Sequence, residues 1–233
     1  MRKTTIQSQR DYDDLHKDGG FADELENYQL LATLLRGKRA LDIGCGSAYI
    51  ERFAPEIVGI DFSYEALKIA KQNGAKYLCQ ADAENLPFKD NSFELSLNFG
   101  VLEHIIDQPK AVSEIARVSQ NQIFIVHAKL PYGLEKIRLL LLRIFKLHDQ
   151  PVEIPLSMKE LKKMVNNSGL RVIFEGLWNY IDPRWICKCI AYGLIKWPSH
   201  HLLITTKSKH SERQFTGDNN LRNKFCYEDR NID

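Results

Sequence analysis

The segment Asp42-Ile43-Gly44-Cys45-Gly46-Ser47-Ala48 sets two glycines directly behind a short apolar run. Glycine is needed where backbone must approach a ligand closely or take positive φ, and a helix starting behind such a turn offers free N–H groups. A GxG turn also serves as a plain strand-to-helix connection, so the loop needs a second signal. Asp61 supplies it, 15 residues beyond Gly46 and at the end of the next apolar run. An acid at the carboxyl end of a parallel strand can accept both hydroxyls of a ribose. Ser63 is better placed than Asp61 to cap the helix that follows, which leaves the acid for a ligand. Loop and acid together imply a nucleoside. A dinucleotide fingerprint would need a third glycine where Tyr49 stands, and that bulk argues against a pyrophosphate site and so against an NAD-dependent oxidoreductase.

These residues require elements that hold them at one edge. Apolar spacing predicts a helix from Phe21 to Leu35, stopped by Gly37. RALDIG reads as a buried strand, and a short helix fits Ala48 to Phe53 before Pro55. EIVGID, AKYLC, SFELSLNF and QIFIVHA read as four further strands. Helices are expected over Tyr64 to Gln72 and Lys110 to Val118. Beyond them come a helix from Leu156 to Asn167 and two strands, LRVIFEGLW and HHLLITTK. Strand and helix alternate with connections too short for hairpins, and parallel strands need such crossovers. The expected fold is α/β: a Rossmann-like, doubly wound, mostly parallel seven-stranded sheet with helices on both faces and a helical cap.

Composition sets the bounds. The 233 residues are 44% hydrophobic and 27% charged, an ordinary globular balance that excludes collagen, a disulfide scaffold and disorder throughout. The net charge of +2 gives no basic field of the kind nucleic-acid binding needs, so no nucleic-acid partner is expected. Five cysteines without a CxxC pair fit a reduced, cytoplasmic setting. No secretory leader or membrane-spanning run is visible.

LDIGCGSA, then VGIDFSYEALKIAK, then ADAENLPFKDNSFELSLNFGVLEHI resembles the class I S-adenosylmethionine-dependent methyltransferases. Within them the chain is most similar to the small-molecule group that includes ubiquinone and menaquinone methyltransferases, over roughly Ala40 to Ala128. The resemblance implies S-adenosyl-L-methionine as cofactor. It places Asp42, Gly44, Cys45 and Gly46 along the methionine side, Asp61 on the ribose and Phe62 beside the adenine. Asp82 would accept from the adenine amino group, the Ala83 N–H would meet the ring, and Asn98 would lie near the sulfonium. Two departures stand out: Ala48 replaces the last glycine of GxGxG, and Ser119-Gln120-Asn121-Gln122 replaces the usual KPGG turn.

His104, after Glu103 and just beyond the fourth strand, is the candidate general base; the competing reading is that the pair only fixes a turn. His127, at the end of the fifth strand, reads first as a hydrogen-bonded sheet-end histidine. No metal site is expected, because His104, Asp107 and His148 lack ligand spacing. Two stretches, Leu134 to Leu147 and Trp185 to Trp197, mix apolar with basic residues. They fit a helical cap over a hydrophobic acceptor, with peripheral contact to an anionic membrane as the sharper expectation. The expected organisation is one domain over 1–207: an N-terminal lid (1–37), a cofactor core (38–128) and cap inserts (129–155 and 179–199), with a polar, disordered tail (208–233). The function expected is methyl transfer to a small-molecule acceptor, hydrophobic or aromatic. The alternative is a non-catalytic nucleoside-binding regulator, and the oligomeric state is not legible.

Overall fold

The computed structural model describes residues 9–14, 25–127, 152, 154–180 and 198–207. The apolar, basic stretches 134–147 and 185–197 and the tail 208–233 lie outside them. Within them, α1 covers 9–14 and α2 Leu25–Leu35, followed by β1 Ala40–Ile43 and β2 Val58–Asp61. Then come α3 Tyr64–Gln72, β3 Tyr77–Gln80, β4 Phe93–Phe99 and a 3₁₀ turn, Leu102–His104. α4 Gln108–Val118, β5 Ser119–His127, α5 Met158–Asn167, β6 Arg171–Tyr180 and β7 Pro198–Thr206 complete the order.

The seven strands form one sheet in the order β3-β2-β1-β4-β5-β7-β6. Pairings are parallel from β3 through β5, whereas β7 runs antiparallel to both β5 and β6. The seven-stranded, mostly parallel, Rossmann-like sheet read from the sequence is the sheet that forms. The strand order reverses between β1 and β4, and open parallel sheets offer a crevice beyond the strand ends at such a switch point.

Alternation along the strands explains why both faces carry helices. Leu41, Ile43, Phe124 and Val126 pack on one side with Val112 and Ile115 of α4 and Leu161 and Val165 of α5. Leu95, Leu97, Ile123 and Ile125 pack on the other with Leu31, Ala32 and Leu35 of α2. A strand buried on both faces can be apolar at successive positions, as Ile123 to Val126 of β5 are, whereas β4 alternates apolar residues with Glu94, Ser96 and Asn98. The helix starts are set by side-chain caps. Ser63 accepts from the Ala66 N–H at 3.1 Å, and Asp107 from the Lys110 N–H at 3.2 Å with Pro109 in the first turn. Ser157 and Glu160 form a reciprocal capping box on α5.

Two local expectations need correction. No helix occupies 48–53, where the chain makes successive turns. Ala48 takes φ +61° there, a left-handed conformation that cannot sit inside a right-handed helix. Nor is Ser119 to Gln122 a turn: β5 begins at Ser119, straight from the end of α4. Polar residues can start that strand because they find partners inside it. The Ser96 and Ser119 hydroxyls lie 2.8 Å apart, and the Thr205 hydroxyl donates to Gln122 Oε1 at 2.7 Å.

Candidate active site

A cleft of about 420 Å³ opens beyond the carboxyl ends of β1, β2 and β4. Asp42, Gly44, Cys45, Gly46, Asp61, Phe62, Asp82, Ala83 and His104 all line it. Of the residues picked from the sequence, only Asn98 does not. It is 1% exposed, and its Oδ1 accepts the Leu102 N–H at 3.2 Å, so it braces the 3₁₀ turn.

The glycine loop is drawn onto the end of β2. The Gly44 and Cys45 N–H groups both donate to the Ile60 carbonyl, at 2.8 and 2.9 Å. Asp61 then receives the Gly46 N–H on Oδ2 at 2.9 Å and the Ser63 N–H on Oδ1 at 2.8 Å. These bonds fix the carboxylate plane at the wall of the cleft. Asp82 is oriented in the same manner by the Glu84 N–H, at 2.9 Å. Gly44 has φ +74°, and a Cβ there would stand 2.3 Å from Val101 Cγ2. No side chain fits at that position.

Beneath the loop lies an acid group that the sequence reading missed. Glu51 is 2% exposed and neither carboxylate oxygen has a hydrogen-bond partner. Burial pushes its pKa up to about 7, with Asp61 adding to the shift. Burial also lifts Asp42 well above the usual carboxylate range, reinforced by Glu51 and Asp61. Burial, then Glu51, Asp61 and Asp42, push the Cys45 thiol up in the same direction, which disfavours its thiolate. Glu51 gave no signal because nothing in the sequence says that the 47–53 turns fold it inward.

The other half of the cleft is aromatic and imidazole-rich. Tyr12, Tyr28, Tyr49, Phe99, Ile105 and Ile106 line it together with His104, His127 and His200. Tyr28 stacks on Tyr49 at 5.1 Å between centroids, so the side chain that stands in place of a third glycine becomes a wall of the cleft. Tyr12 arrives on α1, which docks through Asp13: its Oδ1 accepts the Ser63 hydroxyl at 2.6 Å and the Glu65 N–H at 3.3 Å.

His104 Nδ1 donates to the Val152 carbonyl at 2.7 Å, which leaves Nε2 as its acceptor. Glu103 is fully buried; Oε1 accepts the His127 N–H at 3.0 Å and lies 3.3 Å from His127 Nδ1, while Oε2 has no partner. His200 packs on His127 with centroids 4.4 Å apart. Burial, then the neighbouring His127 and His201, pull the His200 pKa down to about 3, so it is neutral at physiological pH. His127 was noted from its place in the chain. His200, inside an apolar strand, was missed.

Fold and site together point to a class: the sheet and its glycine loop have the architecture of methyltransferase domains. Residues 41–126 match the methyltransferase domain family. A demethylmenaquinone methyltransferase of Geobacillus kaustophilus is 36% identical over 99 residues, 36% of this chain and 42% of that protein. A protein of Mycobacterium tuberculosis named a probable S-adenosylmethionine-dependent methyltransferase is 32% identical over 96 residues, 39% of this chain and 35% of its own length. Thus the chain spans less than half the length of these curated relatives. Among solved structures, a methyltransferase of Thermotoga maritima described as a possible histamine N-methyltransferase aligns at TM-score 0.59 and 18% identity. The alignment covers 85% of this chain and 96% of that one, a likeness of fold.

Proposed function

We propose that the protein transfers the methyl group of S-adenosylmethionine to a small hydrophobic or aromatic acceptor. One observation carries the reading: the Asp61 carboxylate is pinned by two backbone N–H groups beside the glycine loop, at the strand end where a ribose binds. The donor set fits the cofactor. Asp61 would accept the ribose hydroxyls, with Phe62, Asp82 and Ala83 around the adenine. The Gly44–Gly46 backbone and Asp42 would face the methionine portion.

When bound, the cofactor supplies a methyl carbon already electrophilic on a sulfonium, which the acceptor attacks in line as the C–S bond breaks and its electron pair goes to sulfur. What the chain must do is align and exclude water, which contributes on the order of 7–11 kcal/mol in well-oriented systems. Tyr28, Tyr49, Phe99, Ile105 and Ile106 would hold the acceptor, and His104 would take its proton where it has one to lose. Among the described residues the cleft beside His104 is open, which favours catalysis over the alternative of a nucleoside-binding regulator. We keep residues 1–207 as one domain, with α1 as part of a lid.

Among the described residues no helix is long and apolar enough to cross a membrane. Peripheral membrane contact and a cytoplasmic setting remain part of the proposal.

Calorimetry with S-adenosylhomocysteine tests the cofactor half. The wild type should bind it and not NAD, and Asp61→Ala should weaken binding by roughly 1.5–3 kcal/mol, the worth of hydrogen bonds to a charged group. Unchanged affinity in that variant overturns the assignment.

A further inference from the structure

We propose that Glu103, His104 and His127 form a binding site for a divalent transition-metal cation at the acceptor end of the cleft. One ligand atom from each of these residues lies within 4.8 Å of the others, close enough for a single ion to reach all three. They come from different elements: Glu103 and His104 from the 3₁₀ turn after β4, and His127 from the last position of β5.

Three features mark the cluster as built for a ligand. First, Glu103 is fully buried and its Oε2 has no hydrogen-bond partner. A buried carboxylate with an unmatched oxygen is costly, and a cation bound by that carboxylate offsets its charge. Second, His104 is held by its Nδ1 bond to the Val152 carbonyl at 2.7 Å, so Nε2 keeps its lone pair. Metal-binding histidines are oriented by such a bond from the second ring nitrogen to a carbonyl. Third, His200 packs against His127 and Tyr12 lies edge-on to His104, with centroids 6.4 Å apart. Both imidazoles are therefore packed into position before any ion arrives.

One carboxylate and two imidazoles favour Zn²⁺, Co²⁺, Fe²⁺, Mn²⁺ or Ni²⁺ over the all-oxygen preferences of Mg²⁺ and Ca²⁺. Three protein ligands leave open positions, and His104 and His127 face the cleft. If the methyl-transfer reading holds, those positions suit an acceptor hydroxyl. Coordination would lower its pKa, its proton would pass to water at the cleft mouth, and the oxygen would keep the lone pair that attacks the methyl carbon. On this reading His104 is a ligand and not a base.

The full-length protein, stripped with a chelator, is titrated with Co²⁺ and followed by visible absorption, with S-adenosylhomocysteine affinity measured in parallel. One Co²⁺ per chain with ligand-field bands is expected. Glu103→Gln and His127→Gln should each weaken binding at least about 10–100-fold while leaving S-adenosylhomocysteine affinity intact, which also reports a folded core. A variant that loses both is replaced by His104→Gln, whose partly exposed side chain can change without emptying a core position. A wild type that binds S-adenosylhomocysteine but no Co²⁺, or variants that bind Co²⁺ as the wild type does, overturns the metal site. Co²⁺ binding without S-adenosylhomocysteine binding would leave the metal site standing and sink the methyl-transfer reading instead.

Discussion

Along β1, β2 and β3 the cleft is walled by carboxylates, Asp42, Asp61 and Asp82, whereas beyond β4, β5 and β7 it is walled by imidazoles, His104, His127 and His200. The carboxylates are set by local geometry: each lies at or just beyond the carboxyl end of its own strand, and two are pinned by N–H groups of nearby turns. The imidazoles are assembled from distant parts of the chain and steadied by one another and by Val152 and Ile154, which bond to His104 and to the Glu103 carbonyl. Fixed acceptors suit hydroxyl and amino donors, the recognition proposed for the cofactor. Imidazoles can instead hold a cation or take a proton, the chemistry proposed for the acceptor. Binding and turnover should therefore separate cleanly between the halves.

The sharpest test is His104→Ala. Turnover should fall roughly 10²–10⁴-fold while S-adenosylhomocysteine affinity stays at the wild-type value, the mirror image of Asp61→Ala. Normal turnover per folded molecule, accompanied by a lower melting temperature, would show that His104 only supports the turn and would erase the division.

On the acidic side, Gly44→Ala forces a side chain into left-handed φ and against Val101. A loss of about 3 kcal/mol is expected in denaturant unfolding. Adding Val101→Ala should recover the steric part and leave the backbone part. Full recovery would mean that the left-handed turn costs nothing, and no recovery that Val101 does not press on the loop.

The smallest effect concerns Glu51 and depends on pH. Its ordinary pKa is 4.5, and burial raises it to about 7 in the fold. Between those values the folded protein binds the extra proton, so stability should fall as pH rises through the window. Glu51→Gln should stabilise the protein by about 1–3 kcal/mol above pH 7 and by much less near pH 4.5, the amide's own unmatched groups limiting the gain. A stability difference that does not change with pH would show that Glu51 is hydrated in solution. Asp42, shifted in the same direction, should leave a residual slope in the variant.

The acidic half was legible in the sequence because its determinants are short-range. Period-two and near-continuous apolar runs specify parallel strands, glycines at Gly44 and Gly46 specify a turn, and the residue after a strand must lie at the sheet's carboxyl edge. From those rules alone Asp42, Asp61 and Asp82 come together, as does the seven-stranded sheet.

Three things only the tertiary structure decided. Asn98 sits at a strand end like the acids, yet pleating turns it inward to the Leu102 N–H. Glu51 is buried because Ala48 adopts φ +61° and folds the following turns beneath the loop, a choice that side-chain type does not announce. His127 and His200 meet because β7 enters antiparallel beside β5, in the register that pairs those two residues. Register between strands more than 70 residues apart is set by the packing of whole faces and not by any local signal, so the imidazole half had to wait for the fold.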